Sequence, residues 1–141
     1  MSTTKKKFSP QGFALSIRRS KTGLGLFAEE IIPKGACIIE YTGRPATKQE
    51  IESNMGKYLF WTSNSTMING VSRNNTARYI NHSCKPNCEI ELQNKKIYVF
   101  AEKKIRKGEE LTFDYGDEYF EMHIAPKGCL CRSCKPLIAV N

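Results

Sequence analysis

The chain lacks a long hydrophobic run. None of its apolar stretches approaches the ~20 residues that a membrane-spanning helix requires, and residues 1–10 carry charge but no apolar core of a secretory signal. Internal repeats and linker-like stretches are absent as well. These absences argue against a membrane-spanning protein and predict a soluble intracellular one, cytoplasmic or nuclear, whose 141 residues form one domain around one core.

Two segments lack charge of one sign, although the whole chain has a net charge of +8. Residues 1–21 contain six basic side chains and no acidic one, which is typical of a solvated, flexible terminus that can contact nucleic acid. Residues 109–121, here named the acidic segment, contain six acidic side chains and no Lys or Arg. Its field favours a basic peptide over nucleic acid around Tyr115.

Short apolar segments between turn residues predict a mostly β fold. Strands are expected at 13–18, 24–28, 37–41, 58–62 and 66–69, and at 89–92 with 97–101 as a hairpin. One helix is expected from Lys48 to Met55. Thr47 precedes this helix and Glu50 lies in its first turn, which gives the Thr-x-x-Glu pattern. In this pattern each of the two side chains accepts a hydrogen bond from the backbone amide of the other residue.

Three segments of the second half concentrate polar and metal-capable side chains. Residues 78–88 place two Asn, a His, two Cys and a Pro within eleven positions, and residues 110–116 follow with the order Glu-Leu-Thr-Phe-Asp-Tyr-Gly. The third segment is a tail with Cys129, Cys131 and Cys134. Thiolates at this spacing can converge on one zinc ion, and by spacing alone either Cys84 or Cys88 can complete the site.

Together with Gly23-Leu24-Gly25-Leu26-Phe27-Ala28 and Glu40-Tyr41-Thr42-Gly43, these motifs resemble the SET-domain family of protein-lysine methyltransferases with a post-SET cysteine tail. The resemblance runs from about Ile17 to Cys134. It implies small curled sheets with a knot-like C-terminal crossing. It also implies a basic, flexible N-terminus (1–12), a SET domain (13–121) and a zinc-binding tail (122–141). Since no cysteine-rich segment precedes the domain, a stand-alone SET protein is expected.

The resemblance also implies roles for individual residues. Tyr115 and Tyr41 are the expected catalytic hydroxyls, and His82 is not expected to act as a general base. S-adenosylmethionine is expected to contact Leu24, Gly25, Tyr58, Arg78, Asn81, His82 and Tyr115. The channel for the substrate lysine is expected to be lined by Tyr41, Trp61, Phe113 and Tyr115. The family's choice of zinc ligands corresponds to Cys84, Cys129, Cys131 and Cys134.

Methyl transfer from a sulfonium to a lysine amine is an in-line displacement, so it needs alignment, a free nitrogen lone pair and exclusion of water. No acid–base triad is required. In the family, a Tyr two positions before the catalytic one tends to restrict the product to monomethyl-lysine. Phe113 lacks that hydroxyl, which implies methylation beyond the first group.

Plainer interpretations stand beside these roles. The Gly-x-Gly at Gly23 is also typical of a tight bend. The Asn81-His82 pair is also typical of a capped turn, and the aromatic residues are also typical of core packing. Two other functions are a catalytically weak module that binds basic peptides and a small basic zinc protein that binds nucleic acid. Intact Asn81, His82 and Tyr115 argue against the first, and the acidic segment against the second. The expected partner is therefore a histone or another basic protein, with no membrane partner.

Overall fold

The structure is a computed structural model that describes residues 7–20, 23–53, 58–63 and 65–115. Short strands dominate these ranges, and one α-helix and one 3₁₀ helix, at Thr76–Tyr79, accompany them. The elements are β1 (Leu15–Ser20), β2 (Gly23–Ala28), β3 (Cys37–Tyr41), β4 (Arg44–Pro45), α1 (Lys48–Ser53), β5 (Leu59–Trp61), β6 (Met67–Asn69), β7 (Asn81–His82), β8 (Cys88–Gln93), β9 (Lys96–Ala101) and β10 (Thr112–Phe113).

The strands form small sheets instead of one continuous sheet. β1 pairs with β2, β3-β9-β8 and β4-β6-β5 form three-stranded sheets, and β7 pairs with β10 in parallel. The predicted hairpin is confirmed between β8 and β9. Its two turn residues, Asn94 and Lys95, have φ of 52° and 62°, as in the type I′ turn that matches strand twist. The mostly β prediction is therefore confirmed, whereas β4, β7, β10 and the 3₁₀ helix were not predicted.

Helix α1 begins where the sequence predicts. The Thr47 hydroxyl accepts a hydrogen bond from the Glu50 amide at 3.1 Å, and the Glu50 carboxylate accepts one from the Thr47 amide at 2.8 Å. Glu50 also accepts two 2.9 Å hydrogen bonds from Arg44 and one of 2.8 Å from Asn69. One carboxylate therefore ties α1 to β4 and β6. The predicted end at Met55 lies outside the described residues, and within them no helix is long and apolar enough to cross a membrane.

The core is built from aliphatic side chains of β2 and β9 and of the segments beside them. Burying each such side chain contributes about 1.5–3 kcal/mol. Those larger than alanine with no exposed surface are Leu26, Ile32, Ile97, Val99, Ile105 and Leu111. Ile32 and Ile105 also exchange two backbone hydrogen bonds of 2.8 Å. Ile105, which lies four residues before the acidic segment, is therefore anchored to the core.

A second, smaller cluster lies where Phe8 packs on β9. Its ring makes edge contacts with Tyr98 and Phe100 at 5.4 and 5.3 Å between centroids, and the Gln11 amide donates to the Cys37 carbonyl at 3.2 Å. Cys37 is only 1% exposed, so its thiol lies in the core. Part of the segment expected to be a flexible N-terminus thus contacts the sheet.

The start of the acidic segment lies against the edge of β2 that β1 leaves open. The Ala28 amide donates to the Glu109 carbonyl at 2.9 Å, and the Leu111 amide donates to the Leu26 carbonyl at 2.8 Å. β10 then runs parallel to β7, with Thr112 opposite Asn81. Three motifs that are distant in sequence therefore meet at one place. The knot-like crossing expected from the family stays a prediction.

Candidate active site

Tyr115 is held between two residues of the 78–88 motif. Its hydroxyl donates a 2.7 Å hydrogen bond to the Ile80 carbonyl, and its backbone amide donates to His82 Nδ1 at 3.1 Å. The rings of His82 and Tyr115 lie 5.4 Å apart in an edge contact. Because the hydroxyl proton is directed to Ile80, the phenolic oxygen can only accept hydrogen bonds from any further partner.

His82 has a buried side chain that contacts Tyr115. Its side chain is 6% exposed, and Nδ1 accepts the Tyr115 amide, so its ring proton lies on Nε2. Cys84 Sγ is 3.4 Å from that nitrogen. Asp114 lies 3.8 Å from Nδ1, but an Nδ1 that accepts a hydrogen bond carries no proton for an ion pair. The lone pair of Nδ1 is thus occupied by the Tyr115 amide, and the expectation that His82 is not a general base stays a prediction.

Tyr115 and three other aromatic side chains form a continuous cluster. Ring centroids are 4.5 Å apart for Tyr41 and Phe60, 5.9 Å for Phe60 and Phe113, and 4.9 Å for Phe113 and Tyr115. Tyr41 and Phe113 are each 2% exposed. The Tyr41 hydroxyl donates to the Tyr58 carbonyl at 3.3 Å. Three of the four residues expected to line the lysine channel are therefore in one place.

Phe60 belongs to this cluster and was missed by the sequence analysis, which selected its neighbour Trp61. Successive residues of a strand point to opposite faces, so in β5 Trp61 points away from the face that Phe60 occupies. Trp61 is 45% exposed. The structure thus does not bring Trp61 together with the other expected channel residues. Strand alternation indicates that only one of Phe60 and Trp61 can face the cluster, and the pairing of β5 with β6 decides that it is Phe60.

The Asn81 amide joins the Gly-x-Gly loop to the acidic segment. Asn81 Nδ2 donates to the Leu24 carbonyl at 2.9 Å and to Glu110 Oε2 at 2.8 Å, with Ser20 Oγ at 3.2 Å as a third acceptor. A Cβ on Gly25 would collide with Glu110 Oε2 and lie 3.2 Å from Asn81 Nδ2. Any larger residue at position 25 would therefore require the Glu110 side chain to move.

Arg78 lies between two tyrosine rings. Its guanidinium carbon is 4.7 Å from the centroid of Tyr58 and 5.0 Å from that of Tyr79, and Nη1 donates to the Tyr79 hydroxyl at 3.2 Å. Both contacts are favourable cation–π geometries. Within the described residues, buried Arg78 Nε has no hydrogen-bond partner. A buried donor without an acceptor costs about 1–3 kcal/mol, so this atom favours an acceptor from a ligand.

Asn87 clips the acidic segment to the 78–88 motif. Its Nδ2 donates to the Glu110 carbonyl at 2.9 Å, and its Oδ1 accepts the Thr112 amide at 2.9 Å. The side-chain amide of Asn87 thus makes the two hydrogen bonds, to the Glu110 carbonyl and the Thr112 amide, that a neighbouring strand would otherwise make. The sequence analysis counted Asn87 in the motif but assigned it no role, because nothing local identifies its partners.

The two cysteines of the 78–88 motif have different environments. Cys84 is exposed, whereas Cys88 is 1% exposed and lies in the core. Burial raises the pKa of the Cys88 thiol to about 12. Cys84 is therefore the accessible one of the two alternatives for the fourth zinc ligand. The expected ligands Cys129, Cys131 and Cys134 lie outside the described residues, and within the described part no three His, Cys, Asp or Glu side chains converge on a metal position.

The described half of the acidic segment is not uniformly solvated. Glu109 Oε1 accepts the Arg106 amide at 2.7 Å, Glu110 contacts Asn81 at 2.8 Å, and the Asp114 side chain is 53% exposed. The remaining carboxylates, Asp117, Glu118 and Glu121, lie outside the described residues. Glu110 is thus part of the site and not only a member of a charged surface.

The sequence of this chain is similar to the sequences of named histone-lysine methyltransferases. The chain is 38% identical over 133 residues to the histone-lysine N-methyltransferase trr of Drosophila melanogaster, covering 84% of this chain and 6% of the relative. It is 36% identical over 126 residues to human histone-lysine N-methyltransferase 2D, covering 80% of this chain and 2% of the relative. The chain therefore spans only a small part of these curated relatives.

A solved structure has the same architecture. The crystal structure of KRYPTONITE in complex with mCHH DNA, an H3(1-15) peptide and SAH matches with a TM-score of 0.69 and 29% sequence identity. The match covers 88% of this chain and 29% of that one. The sequence model of the SET domain matches residues 23–116. Since that match includes more than half of the chain, this protein belongs to the SET-domain family.

Proposed function

We propose that this protein methylates a lysine side chain of a protein substrate, with S-adenosylmethionine as the methyl donor. The observation that carries the proposal is the fixed position of Tyr115, whose hydroxyl is bound to Ile80 at 2.7 Å beside the aromatic cluster of Tyr41 and Phe113. The relatives named as histone-lysine methyltransferases support it, as does the similar structure with SAH and an H3 peptide.

The donor site is formed by the Gly-x-Gly loop and the 78–88 motif. The Asn81 amide already holds the Leu24 carbonyl through a 2.9 Å hydrogen bond, and Gly25 is the next residue of the loop. Buried Arg78 Nε, which has no partner among the described residues, fits an acceptor group of the donor. Tyr58 holds the Arg78 guanidinium from one side, and His82 and Tyr115 close the site. When bound, S-adenosylmethionine supplies an electrophilic methyl carbon on a sulfonium.

The substrate amine enters between Tyr41, Phe113 and Tyr115. A lysine amine has a pKa near ~10.4 in water, and apolar surroundings lower that pKa because they disfavour the charged form. The cluster therefore favours the neutral amine, whose lone pair is the nucleophile. The Tyr115 oxygen, whose proton is directed to Ile80, accepts a hydrogen bond from the amine and aligns it. Trp61, which lies on the opposite face of β5 and is 45% exposed, is not part of this channel.

Phe113 leaves room for methylation beyond the first group. It is buried, contacts Tyr115 through its ring, and has no hydroxyl that could hold a water molecule against the amine. An amine that already carries one methyl group can therefore still turn its lone pair toward the donor. Dimethyl- or trimethyl-lysine is the proposed product.

The tail completes the domain by binding zinc. Cys84, which is exposed, and the tail residues Cys129, Cys131 and Cys134 would supply the four thiolates that hold the ion. Residues 13–121 are then the catalytic domain, and residues 122–141 are the post-SET tail. The N-terminal residues 1–12 contribute basic charge that can contact nucleic acid away from the active site.

The substrate is a protein with a basic segment around its target lysine, a histone or another basic protein. Six carboxylates within residues 109–121 attract such a segment and repel nucleic acid. A histone substrate would place the activity in the nucleus.

Labelled S-adenosylmethionine tests the proposal directly. The protein is incubated with recombinant histones and with other lysine-rich proteins, and the modified residue is identified by mass spectrometry. We expect methyl-lysine in a basic segment with the wild type and a large loss with Tyr115→Phe. Binding of basic peptides without label transfer by the wild type would instead support the catalytically weak module.

A further inference from the structure

We infer that Glu110 lets the donor site distinguish the cationic methyl donor from its neutral product. Glu110 is a positioning residue in this role, because it acts on the site through Asn81 and through its charge. The inference rests on the proposed donor site at Leu24, Gly25 and Asn81, and it concerns a residue to which the family resemblance gave no role.

One carboxylate oxygen of Glu110 reaches two parts of the donor site. Oε2 accepts a 2.8 Å hydrogen bond from Asn81 Nδ2. The same atom lies so close to Gly25 that a Cβ there would collide with it, and the Glu110 Cδ would be 3.0 Å from that Cβ. The carboxylate therefore lies directly against the loop proposed to hold the donor.

Contacts on both sides fix the backbone of Glu110, and the hydrogen bond from Asn81 Nδ2 holds its carboxylate. Glu110 forms a bridge with Phe27 of β2, and its carbonyl accepts the 2.9 Å hydrogen bond from Asn87. The next residue, Leu111, donates its amide to Leu26 at 2.8 Å. A charge held in this way does not need to reorganise when a ligand enters, so its interaction with the ligand is retained.

No described Lys or Arg compensates the charge. The ion pairs within the described ranges join Arg18 to Glu29 and Arg44 to Glu50, and Glu110 takes part in neither. Its hydrogen-bond donor is a neutral amide. The negative charge of Glu110 is therefore available to act on a ligand beside Gly25.

Donor and product differ by one positive charge. Methyl transfer breaks the sulfur–carbon bond, leaves the electron pair on sulfur, and so converts a sulfonium into an uncharged thioether. The ammonium and carboxylate groups of the molecule are unchanged. A fixed carboxylate consequently favours the donor over the product, on the order of fivefold at a separation of about 4 Å even with the full screening of water. This preference opposes product inhibition.

Calorimetry on three proteins tests the inference. Dissociation constants of S-adenosylmethionine and S-adenosylhomocysteine are measured for wild type, Glu110→Gln and Glu109→Gln. The Gln variant at position 110 keeps the size and the acceptor for Asn81 but removes the charge. We expect it to weaken donor binding about fivefold and to leave product binding nearly unchanged. Glu109→Gln removes the same charge from the adjacent residue, which does not contact Asn81, and should change neither constant.

Equal weakening of both ligands by Glu110→Gln would mean that Glu110 only supports Asn81 structurally, and it would overturn the inference. Unchanged constants for both ligands would overturn it as well. If the wild type bound neither ligand, the proposed donor site itself would fail, which is a different result.

A salt titration of the wild type provides a measurement that needs no variant. Because added salt screens partly exposed charges, the ratio of donor affinity to product affinity should decrease as ionic strength rises. A ratio that stays constant over that range would contradict an electrostatic origin. Thermal unfolding of each variant establishes that it is folded before its constants are compared.

Discussion

Tyr115 and Ile80 are joined by a 2.7 Å hydrogen bond from the phenolic hydroxyl to the backbone carbonyl. This contact fixes the ring of Tyr115 and directs the hydroxyl proton away from any ligand. The oxygen is left as an acceptor at a defined position, which is the arrangement that alignment of an amine requires.

Replacing Tyr115 by Phe should therefore reduce turnover while the fold and donor affinity are retained. Loss of one positioned polar group costs roughly 100-fold in rate. Turnover is measured with labelled donor, and donor affinity is measured by calorimetry. Unchanged turnover would remove the Tyr115 hydroxyl from the mechanism.

Replacing Asn81 by Ala should weaken donor binding, because Asn81 holds the Leu24 carbonyl and the Glu110 carboxylate at 2.9 and 2.8 Å. The loss of a hydrogen bond to a charged group predicts about a tenfold higher dissociation constant. Asn74→Ala is the matched control, since Asn74 is exposed and lies outside the proposed donor site. Equal affinity of Asn81→Ala and wild type would contradict the assignment.

Replacing Phe113 by Tyr should shift the product toward monomethyl-lysine. The new hydroxyl would enter the cluster in which Phe113 lies 4.9 Å from Tyr115, and there it can hold a water molecule against the amine. Mass spectrometry gives the ratio of mono-, di- and trimethylated peptide, while donor affinity serves as a check that the site is intact. A product ratio equal to that of wild type would show that position 113 does not set the degree of methylation.

Metal analysis of protein purified without added zinc should find about one zinc ion per chain, because a closed thiolate site retains its metal. Cys84→Ser and Cys131→Ser should each lose it. Cys88→Ala should keep it, since Cys88 is buried and its thiol has a pKa raised to about 12. Zinc loss from Cys88→Ala with retention in Cys84→Ser would reverse the assignment of the fourth ligand.

Stability should depend on Glu50 in acid. Arg44, first by its hydrogen bonds, and then the Thr47 amide lower the pKa of Glu50 from 4.5 to about 2 in the folded protein. Because the folded pKa is the lower one, the contribution of Glu50 to stability is present above about pH 4.5 and is lost as the pH falls toward 2.

Glu50→Gln should consequently lower the free energy of unfolding at neutral pH and flatten its decline over that acidic range. Denaturant unfolding at a series of pH values measures both effects. Glu52→Gln, an exposed change on the same helix, is the control. A decline as steep in Glu50→Gln as in wild type would exclude this carboxylate as the source.

The parts of the fold that follow local rules were predictable from the sequence. The cap of α1 by Thr47 and Glu50, and the hairpin closed at Asn94 and Lys95, depend on residues a few positions apart. Their hydrogen bonds are encoded by short patterns. The strand at Cys37–Tyr41 was predicted with its observed bounds for the same reason.

The contacts that build the site are not local. Asn81 meets Leu24 and Glu110, which lie 57 residues before it and 29 residues after it, and no pattern within either segment specifies this pairing. Phe60 and Trp61 are equally plausible from composition, and only the pairing of β5 with β6 decides which of them faces Phe113. The order of the motifs along the chain predicted where the site lies. The places of Phe60, Asn87 and Glu110 in it became visible only from the packing in the structure.

The clip formed by Asn87 has a consequence for engineering. Asn87 lies just before β8 and bonds Glu110 and Thr112, so both ends of the segment that contains the β8–β9 hairpin are held at the same place. The turn at Asn94 and Lys95 lies at the opposite end of this hairpin, and lengthening a surface loop costs little entropy. A reporter or a second binding module inserted at this turn should leave the catalytic geometry in place.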